Sequence, residues 1–383
     1  MRLRKLIYGR INGNFRTNVK LSVEFSLPND DGFIRQVEAT REIIVSCAAI
    51  GSPLLLMRSG IGDKNELEKH GIECLVNNPN VGRNLEDHLA FFTICPAKQG
   101  KESDLKSVNK KTAENLPGAF PALHDWILHG NGPLASSALD TQCFFRTGLN
   151  LDMPFPDAQI QGFVSPGHYD LWFNNIRIPP EDYIPQRLLA DDGEGFIFVN
   201  TLLHPKSKGY IELTSKDPQV HPKIHANYLL EEEDLDTLVA ICLKSVDIAK
   251  NMDLLGPPVI PKDLQYLPLE SKELWAEMCR RYATTLYHPT STCKMGLVCN
   301  SDLTVKGVTG LRIADASVMP HIVSGNTNCP SIMIGERAAD FIASTHRLSL
   351  GGLQPEKPQI FTMNNLLLGT VALAAGMKLI SKM

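Results

Sequence analysis

Residues 310–342 read GLRIADASVMPHIVSGNTNCPSIMIGERAADFI, and this stretch decides the fold. It begins with a short apolar run, Leu311 to Ala314, that ends at an aspartate and predicts a buried strand. A polar loop rich in glycine and asparagine follows, and from Pro330 the apolar residues recur at helical spacing. A strand, a loop and a helix in this order indicate an α/β fold. Ligands in such folds bind beyond the carboxyl end of the strand and at the N-terminus of the helix.

Other segments predict both an α/β unit and antiparallel strands. Glu42 to Ser46 (EIIVS) is a buried-strand pattern, followed by small residues and by a helix predicted to start at Pro53. Asn18 to Ser26 and Phe33 to Ala39 flank a turn and predict a β-hairpin. Leu229 to Asn251 has the clearest amphipathic helical pattern, with acidic residues in its first turns.

Size and charge exclude some classes of protein. A chain of 383 residues is long enough for two domains, or for one large domain with a second embedded in it. A formal net charge of -4 provides no basic field, so we expect no nucleic-acid partner. Nine cysteines without a CxxC pair favour reduced thiols and an intracellular protein. The N-terminus has no apolar run of signal-peptide length.

The C-terminal tail has a different composition. Leu366 to Met377 (LLLGTVALAAGM) is almost wholly apolar but falls short of the ~20 residues that span a bilayer. A loosely docked or disordered helix is the simplest expectation, and membrane contact is a weaker one. The final tripeptide, SKM, is close to the SKL address of peroxisomal proteins. The compartment therefore stays open.

A second polar stretch, residues 285–296 (TLYHPTSTCKMG), predicts a loop that presents His288. A neutral imidazole with a pKa near ~6.5 can take a proton from a hydroxyl group. Asn326, in the glycine- and asparagine-rich loop, can donate a hydrogen bond to the oxygen as it becomes an alkoxide. Neither side chain accepts electrons, so a cofactor must do so. Cys293 has no second pair of ligands nearby, and we predict no metal site.

These two stretches resemble the catalytic block of the glucose–methanol–choline (GMC) flavoprotein oxidoreductases, whose usual forms include HPTGTCKMG and GNTNAP. Ala48 to Gly62 (AAIGSPLLLMRSGIG) and Val81 to His88 (VGRNLEDH) are similar to two more elements of that family. Gly132 to Leu134 and Ser207 to Gly209 stand where its substrate domain has comparable elements. The resemblance runs from about residue 20 to about residue 345.

The resemblance implies an FAD-dependent enzyme that oxidises a small alcohol, such as choline or a sugar, by hydride transfer to flavin N5. His288 matches the catalytic histidine that removes the alcohol proton, and Asn326 matches the second catalytic position. Four further residues match positions that contact FAD, namely Asp315, Ala316, Asn328 and Pro330. The electron acceptor and the oligomeric state stay open.

The fold class expected from the resemblance is α/β, with a partial FAD-binding (Rossmann-like) domain and an antiparallel-sheet substrate domain covered by helices. Residues 1–90 form the partial FAD-binding domain and residues 91–285 the substrate domain. Residues 286–345 return to the FAD-binding domain with the catalytic loop, and residues 346–383 form the tail.

The sequence departs from the family pattern in two ways. Ala48 and Ser291 stand where glycine is usual, at a cost on the order of 1 kcal/mol or more if φ is positive there. No GxGxxG motif, which would hold the ADP half of FAD, occurs in the chain. The alternative hypothesis is therefore a truncated, non-catalytic GMC paralogue, or a half-protein that needs a partner to bind FAD.

Overall fold

The computed structural model describes residues 2–8, 21–26, 33–98, 120–130, 135, 139, 141–150, 153–165 and 195–348. Two compact units are distinguished, residues 1–335 and residues 336–383. The element expected at Gly132 to Leu134 and the apolar tail lie outside the described residues. Within the described part, no helix is long and apolar enough to cross a membrane.

The described strands and helices follow one another along the chain as follows. The strands are Arg2–Tyr8 (β1), Leu21–Ser26 (β2), Arg35–Ala39 (β3), Ile43–Val45 (β4), Ile61–Gly62 (β5), Val76–Asn77 (β6), Leu89–Pro96 (β7), Thr141–Phe145 (β8), Ala158–Ser165 (β9), Gly195–Leu202 (β10), Tyr210–Glu212 (β11), Lys223–His225 (β12), Thr284–Thr285 (β13) and Leu311–Ile313 (β14). The α-helices are Ala48–Arg58 (α1), Lys64–Lys69 (α2), Phe120–His129 (α3), Glu232–Lys250 (α4), Lys272–Tyr282 (α5) and Asn328–His346 (α6). Short 3₁₀ turns occupy Lys262–Leu264 and Ala316–Val318.

The largest sheet is antiparallel, with strand order β13-β7-β10-β9-β8. Its centre is almost wholly buried, and β7 pairs with β10 over eight positions. Helices α4 and α5 cover this sheet and share one core with it. In that core the rings of Phe91 and Trp275 meet edge to face, with centroids 6.0 Å apart. The expected antiparallel-sheet domain covered by helices is thus confirmed.

A parallel pair of strands, β4 and β14, places the site. Leu311 pairs with Ile43 and Ile313 with Val45, so both strands end at the same edge. The start of α1 and the loop after β14 therefore lie together at that edge, although about 270 residues of sequence separate them. This pair belongs to the part predicted to be a partial FAD-binding domain.

The predicted hairpin is confirmed, because β2 and β3 pair antiparallel, and β1 adds a third strand that the sequence analysis did not predict. The register of β1 shifts between Leu3 and Lys5. A bulge of this kind breaks the alternation of side chains by which a strand is recognised in a sequence.

Helix α1 begins at Ala48 rather than at Pro53, so the predicted start was wrong by five residues. A proline inside a helix has no N–H, and the carbonyl four residues earlier loses its helical partner. Here that carbonyl belongs to Ala49, and Thr292 Oγ1 donates a hydrogen bond to it at 2.6 Å. The hydroxyl of a distant loop therefore replaces the missing N–H, and the helix continues through the proline.

Replacing Thr292 by valine is expected to lower the free energy of unfolding by about 1–3 kcal/mol, because the buried Ala49 carbonyl would lose its donor. Urea unfolding measures the change. In a Pro53→Ala background residue 53 has an N–H again, so Thr292→Val should cost clearly less there. An equal cost in both backgrounds would show that Thr292 does not compensate for the proline.

Candidate active site

Two loops meet through their backbones at the edge of the antiparallel sheet. Leu286 N donates to His88 O at 2.9 Å, and Thr290 N donates to Glu86 O at 2.8 Å. The segment before β7 is thereby aligned with the loop that the sequence predicted to present His288. This backbone pairing brings three consecutive polar residues, 86 to 88, against the loop.

Asp87 fixes the conformation of the His288 loop. Its carboxylate accepts hydrogen bonds from the backbone N of His288 at 2.9 Å, from Thr285 Oγ1 at 2.5 Å and from Tyr228 Oη at 2.6 Å. Burial raises the pKa of Asp87, and these hydrogen bonds oppose that rise. Between the anchored residues, Tyr287 has a φ of 62°, a conformation that side chains larger than glycine rarely adopt. The carboxylate therefore holds a turn that the local sequence does not favour.

The structure brings the two predicted catalytic side chains together. His288 Nε2 lies 3.5 Å from Asn326 Nδ2, at the outer limit of a hydrogen bond, and His288 Nδ1 lies 2.9 Å from His88 Nδ1. His288 is half-buried, whereas Asn326 is exposed. Burial lowers the pKa of His288 from its ordinary value of 6.5, and the negative charge of Asp87 partly opposes this. At neutral pH the imidazole is therefore uncharged and has one nitrogen lone pair.

Glu86 anchors the loop that carries Asn326. Its carboxylate is buried, accepts a hydrogen bond from Ile322 N at 3.0 Å and forms an ion pair with Lys208 Nζ at 2.9 Å. It also lies 3.2 Å from His321 Nδ1. No sequence pattern predicted a role for Glu86 or Asp87. Acidic side chains are almost never fully buried unless they are paired, so the residue types alone gave no signal that these two carboxylates are buried.

His88 is fully buried behind His288, and its Nε2 lies 3.0 Å from the carbonyl oxygen of Val323. Burial and the neighbouring His288 lower the pKa of His88 to about 3. An unfolded chain has an ordinary histidine here, with a pKa of 6.5. Between these two values the unfolded state binds a proton that the folded state does not bind, so stability falls as the pH falls.

We therefore expect His88 to destabilise the fold by up to about 1.4 kcal/mol per pH unit as the pH falls from 6.5 towards 3. This contribution declines to zero as the pH rises above 6.5. Urea unfolding at several pH values, compared with His88→Asn, measures it as a difference in slope. His221→Gln, at an exposed position, should keep the slope of the unmodified protein. Equal slopes in all three proteins would contradict the expectation.

The predicted FAD contacts lie at the ends of β14 and α6. Asp315 Oδ2 accepts hydrogen bonds from Ala48 N at 3.1 Å and Ser52 Oγ at 2.5 Å, and its Oδ1 accepts from Ser317 N at 2.8 Å. Asp315 thus joins the end of β14 to the start of α1, and Ala316 beside it is half-buried. Their role towards FAD stays a prediction.

Helix α6 begins at Asn328, two residues before the predicted start, and has no acidic side chain in its first turn. Asn328 is exposed and Pro330 is half-buried. The first N–H groups of a helix have no partners within the helix and favour polar or anionic ligands. In the described part of the chain, no group of three or more His, Cys, Asp or Glu side chains could hold a metal ion.

Both departures from glycine fall on left-handed backbone, since φ is 62° at Ala48 and 72° at Ser291. A Cβ in this region costs about 1–2 kcal/mol, of which the extra backbone entropy of glycine offsets part. Ala48 is exposed, so glycine removes little packing there. Ala48→Gly is expected to raise the free energy of unfolding by about 0.5–1 kcal/mol. Ala339→Gly, at an exposed position inside α6, should lower it by about as much in the same urea titration.

Known proteins resemble this chain in sequence and in fold. Family models described as GMC oxidoreductase match residues 5–90 and 205–335. An uncharacterized GMC-type oxidoreductase of Mycobacterium tuberculosis is 35% identical over 323 residues, 82% of this chain and 55% of that protein. Human mitochondrial choline dehydrogenase is 32% identical over 319 residues, 82% of this chain and 49% of that protein. Formate oxidase superposes with a TM-score of 0.72 and 25% identity, over 90% of this chain and 60% of that one. The chain thus spans about half the length of the curated relatives it matches.

Proposed function

Since the chain belongs to the GMC oxidoreductases, whose members bind FAD, we propose that it oxidises a primary or secondary alcohol to the carbonyl compound. The observation that carries the proposal is the convergence of His288 Nε2 and Asn326 Nδ2, 3.5 Å apart on an accessible side of the site. A hydroxyl oxygen that contacts both groups has an acceptor for its proton and a donor for its lone pair.

The two side chains divide the work on the hydroxyl group. His288 accepts the hydroxyl proton on Nε2, because the uncharged imidazole has a lone pair at neutral pH. The Asn326 amide donates a hydrogen bond to the oxygen as negative charge develops on it. Asp87 holds the backbone of His288 during this transfer. Bound FAD supplies the acceptor for the hydride that leaves the alcohol carbon.

The residues present fit the flavin end of FAD. The N-terminus of α6 has no acidic side chain in its first turn, and Asn328 and Pro330 lie there at accessible positions. A Cβ built on Gly325, in the loop before this helix, would meet no atom within 4 Å, so the loop leaves open space. An open loop that leads into the N-terminus of a helix suits a polar ring edge. We propose that Asp315, Ala316, Asn328 and Pro330 contact the cofactor, and that Asp315 also joins the end of β14 to the start of α1.

The test is the visible absorption spectrum of the purified chain after incubation with FAD and removal of free cofactor. A retained flavin spectrum that bleaches anaerobically with an alcohol supports the proposal, and choline, glucose and a primary aliphatic alcohol make up the first panel. A flavin spectrum that no alcohol bleaches would contradict alcohol oxidation. A colourless protein would support the alternative, a half-protein that needs a partner to bind FAD.

A further inference from the structure

The contact between His88 and His288 has a direction that the surrounding atoms determine. The two Nδ1 atoms are 2.9 Å apart, and the rings are nearly perpendicular, at 85°. A hydrogen bond between two ring nitrogens contains one hydrogen, so one ring donates and the other accepts. The other nitrogen of His88 decides which ring is the donor.

His88 Nε2 lies 3.0 Å from the carbonyl oxygen of Val323. A carbonyl oxygen only accepts, so His88 Nε2 carries a hydrogen. His88 is 0% exposed, and burial keeps its ring uncharged at neutral pH. An uncharged imidazole has one N–H, which leaves a lone pair on His88 Nδ1. The hydrogen between the two rings therefore belongs to His288 Nδ1.

This assignment determines the state of the catalytic nitrogen. With its hydrogen on Nδ1, uncharged His288 has its lone pair on Nε2, and Nε2 faces the Asn326 amide donor. The opposite arrangement would place the lone pair of His88 Nε2 against the carbonyl oxygen of Val323, which is repulsive. It would also place a hydrogen on His288 Nε2, where no proton could be accepted.

We propose that His88 is a positioning residue that holds His288 in the Nδ1–H tautomer and so presents the Nε2 lone pair to the alcohol. The inference deepens the proposed function and rests on it for the role of the lone pair. A carboxylate often orients a catalytic histidine in this way. Here the adjacent carboxylate, Asp87, bonds to the backbone of His288, and a buried neutral imidazole contacts the ring.

The test reads the tautomer directly, without FAD or substrate. The chain is labelled with ¹⁵N-histidine, and long-range ¹H–¹⁵N correlations are recorded at pH 7.5, with His288→Gln and His221→Gln to assign the signals. We expect a pyrrole-type Nδ1 and a pyridine-type Nε2 for His288. A pyrrole-type Nε2 in the unmodified protein would overturn the proposal, whatever the behaviour of the variants.

Two substitutions test whether His88 is the cause. His88→Phe keeps a ring but removes the acceptor, and the His288 signals are expected to shift towards the Nε2–H tautomer. His88→Asn can place an amide oxygen near the position of Nδ1 and is expected to retain the Nδ1–H tautomer. A folded His88→Phe variant with an unchanged tautomer would overturn the proposal. If His88→Phe does not fold, His88→Asn and the unmodified protein test the proposal. His288 must be the Nδ1–H tautomer in both of them.

A kinetic readout separates this inference from the proposed function. In flavin-loaded protein, His88→Phe is expected to slow alcohol-dependent bleaching by about 10–10²-fold, and His88→Asn by much less. An unbleached flavin together with the Nδ1–H tautomer would refute the proposed function and leave the positioning role intact. Bleaching together with an Nε2–H tautomer would refute the positioning role and the assignment of His288 Nε2 as the proton acceptor, but would leave alcohol oxidation intact.

Discussion

His288→Gln is expected to reduce the rate of alcohol-dependent flavin bleaching by about 10²–10⁴-fold, the usual contribution of a positioned general base. Glutamine fills a similar volume and can form hydrogen bonds, but it does not accept a proton near neutral pH. The backbone N–H of residue 288 would still donate to Asp87, so the loop should keep its conformation. Stopped-flow absorbance after reconstitution with FAD measures the rate, and the amplitude of the flavin spectrum shows that the site remains folded.

The matched control is His221→Gln, at an exposed position outside the site. Its bleaching rate should lie within about twofold of that of the unmodified chain. If the bleaching rate of His288→Gln is also within about twofold of that of the unmodified chain, His288 does not take part in the reaction. The loss of bleaching rate in His288→Gln should also become smaller at acidic pH, because protonation of His288 already disables the base of the unmodified chain there. Burial lowers the pKa of His288 below 6.5, so the acid limb should lie below that value.

Glu42→Ala is expected to lower the free energy of unfolding by about 3–5 kcal/mol, because it removes the nearer carboxylate from the buried Arg312 guanidinium, whose other carboxylate neighbour, Asp302 Oδ2, lies 3.9 Å away. Arg312 Nε donates to Glu42 Oε2 at 2.6 Å, and the side chains are 2% and 5% exposed. Arg312 lies in the middle of β14, and Glu42 immediately precedes β4. The ion pair therefore connects the two parallel strands whose ends position Asp315.

Replacing both residues by apolar ones separates two effects of Glu42→Ala. One is the lost attraction between the two charges, and the other is the cost of keeping the Arg312 charge buried without Glu42. The double variant Glu42→Leu with Arg312→Met should recover most of the loss, since buried ion pairs contribute little beyond well-packed apolar groups. Glu68→Ala, which breaks the exposed pair with Lys64, should change stability by at most about 1 kcal/mol. Urea unfolding of these three variants provides the comparison. A small loss in Glu42→Ala would mean that Arg312 remains solvated or re-paired without Glu42.

Patterns over short spans predicted the elements that depend on nearby residues. The strand at Leu311, the helix after the asparagine-rich loop and the helix within Leu229 to Asn251 all follow from apolar periodicity, and the structure contains each of them. The predicted start of α1 was wrong because a proline usually marks the first turn of a helix. A hydroxyl from Thr292 satisfies the carbonyl that the proline frees, and no local pattern shows that donor.

The sequence by itself determined the family, the two side chains that converge and the two positions where glycine is missing, because each depends on residue types at fixed spacing. Only the tertiary structure determined which atoms contact and orient the two converging side chains. His88 meets His288 across 200 positions of sequence, and Asp87 holds the same loop across a similar distance. Sheet pairing brings such partners together, and burial then determines their protonation. Neither pairing nor burial is a property of any short stretch of the chain.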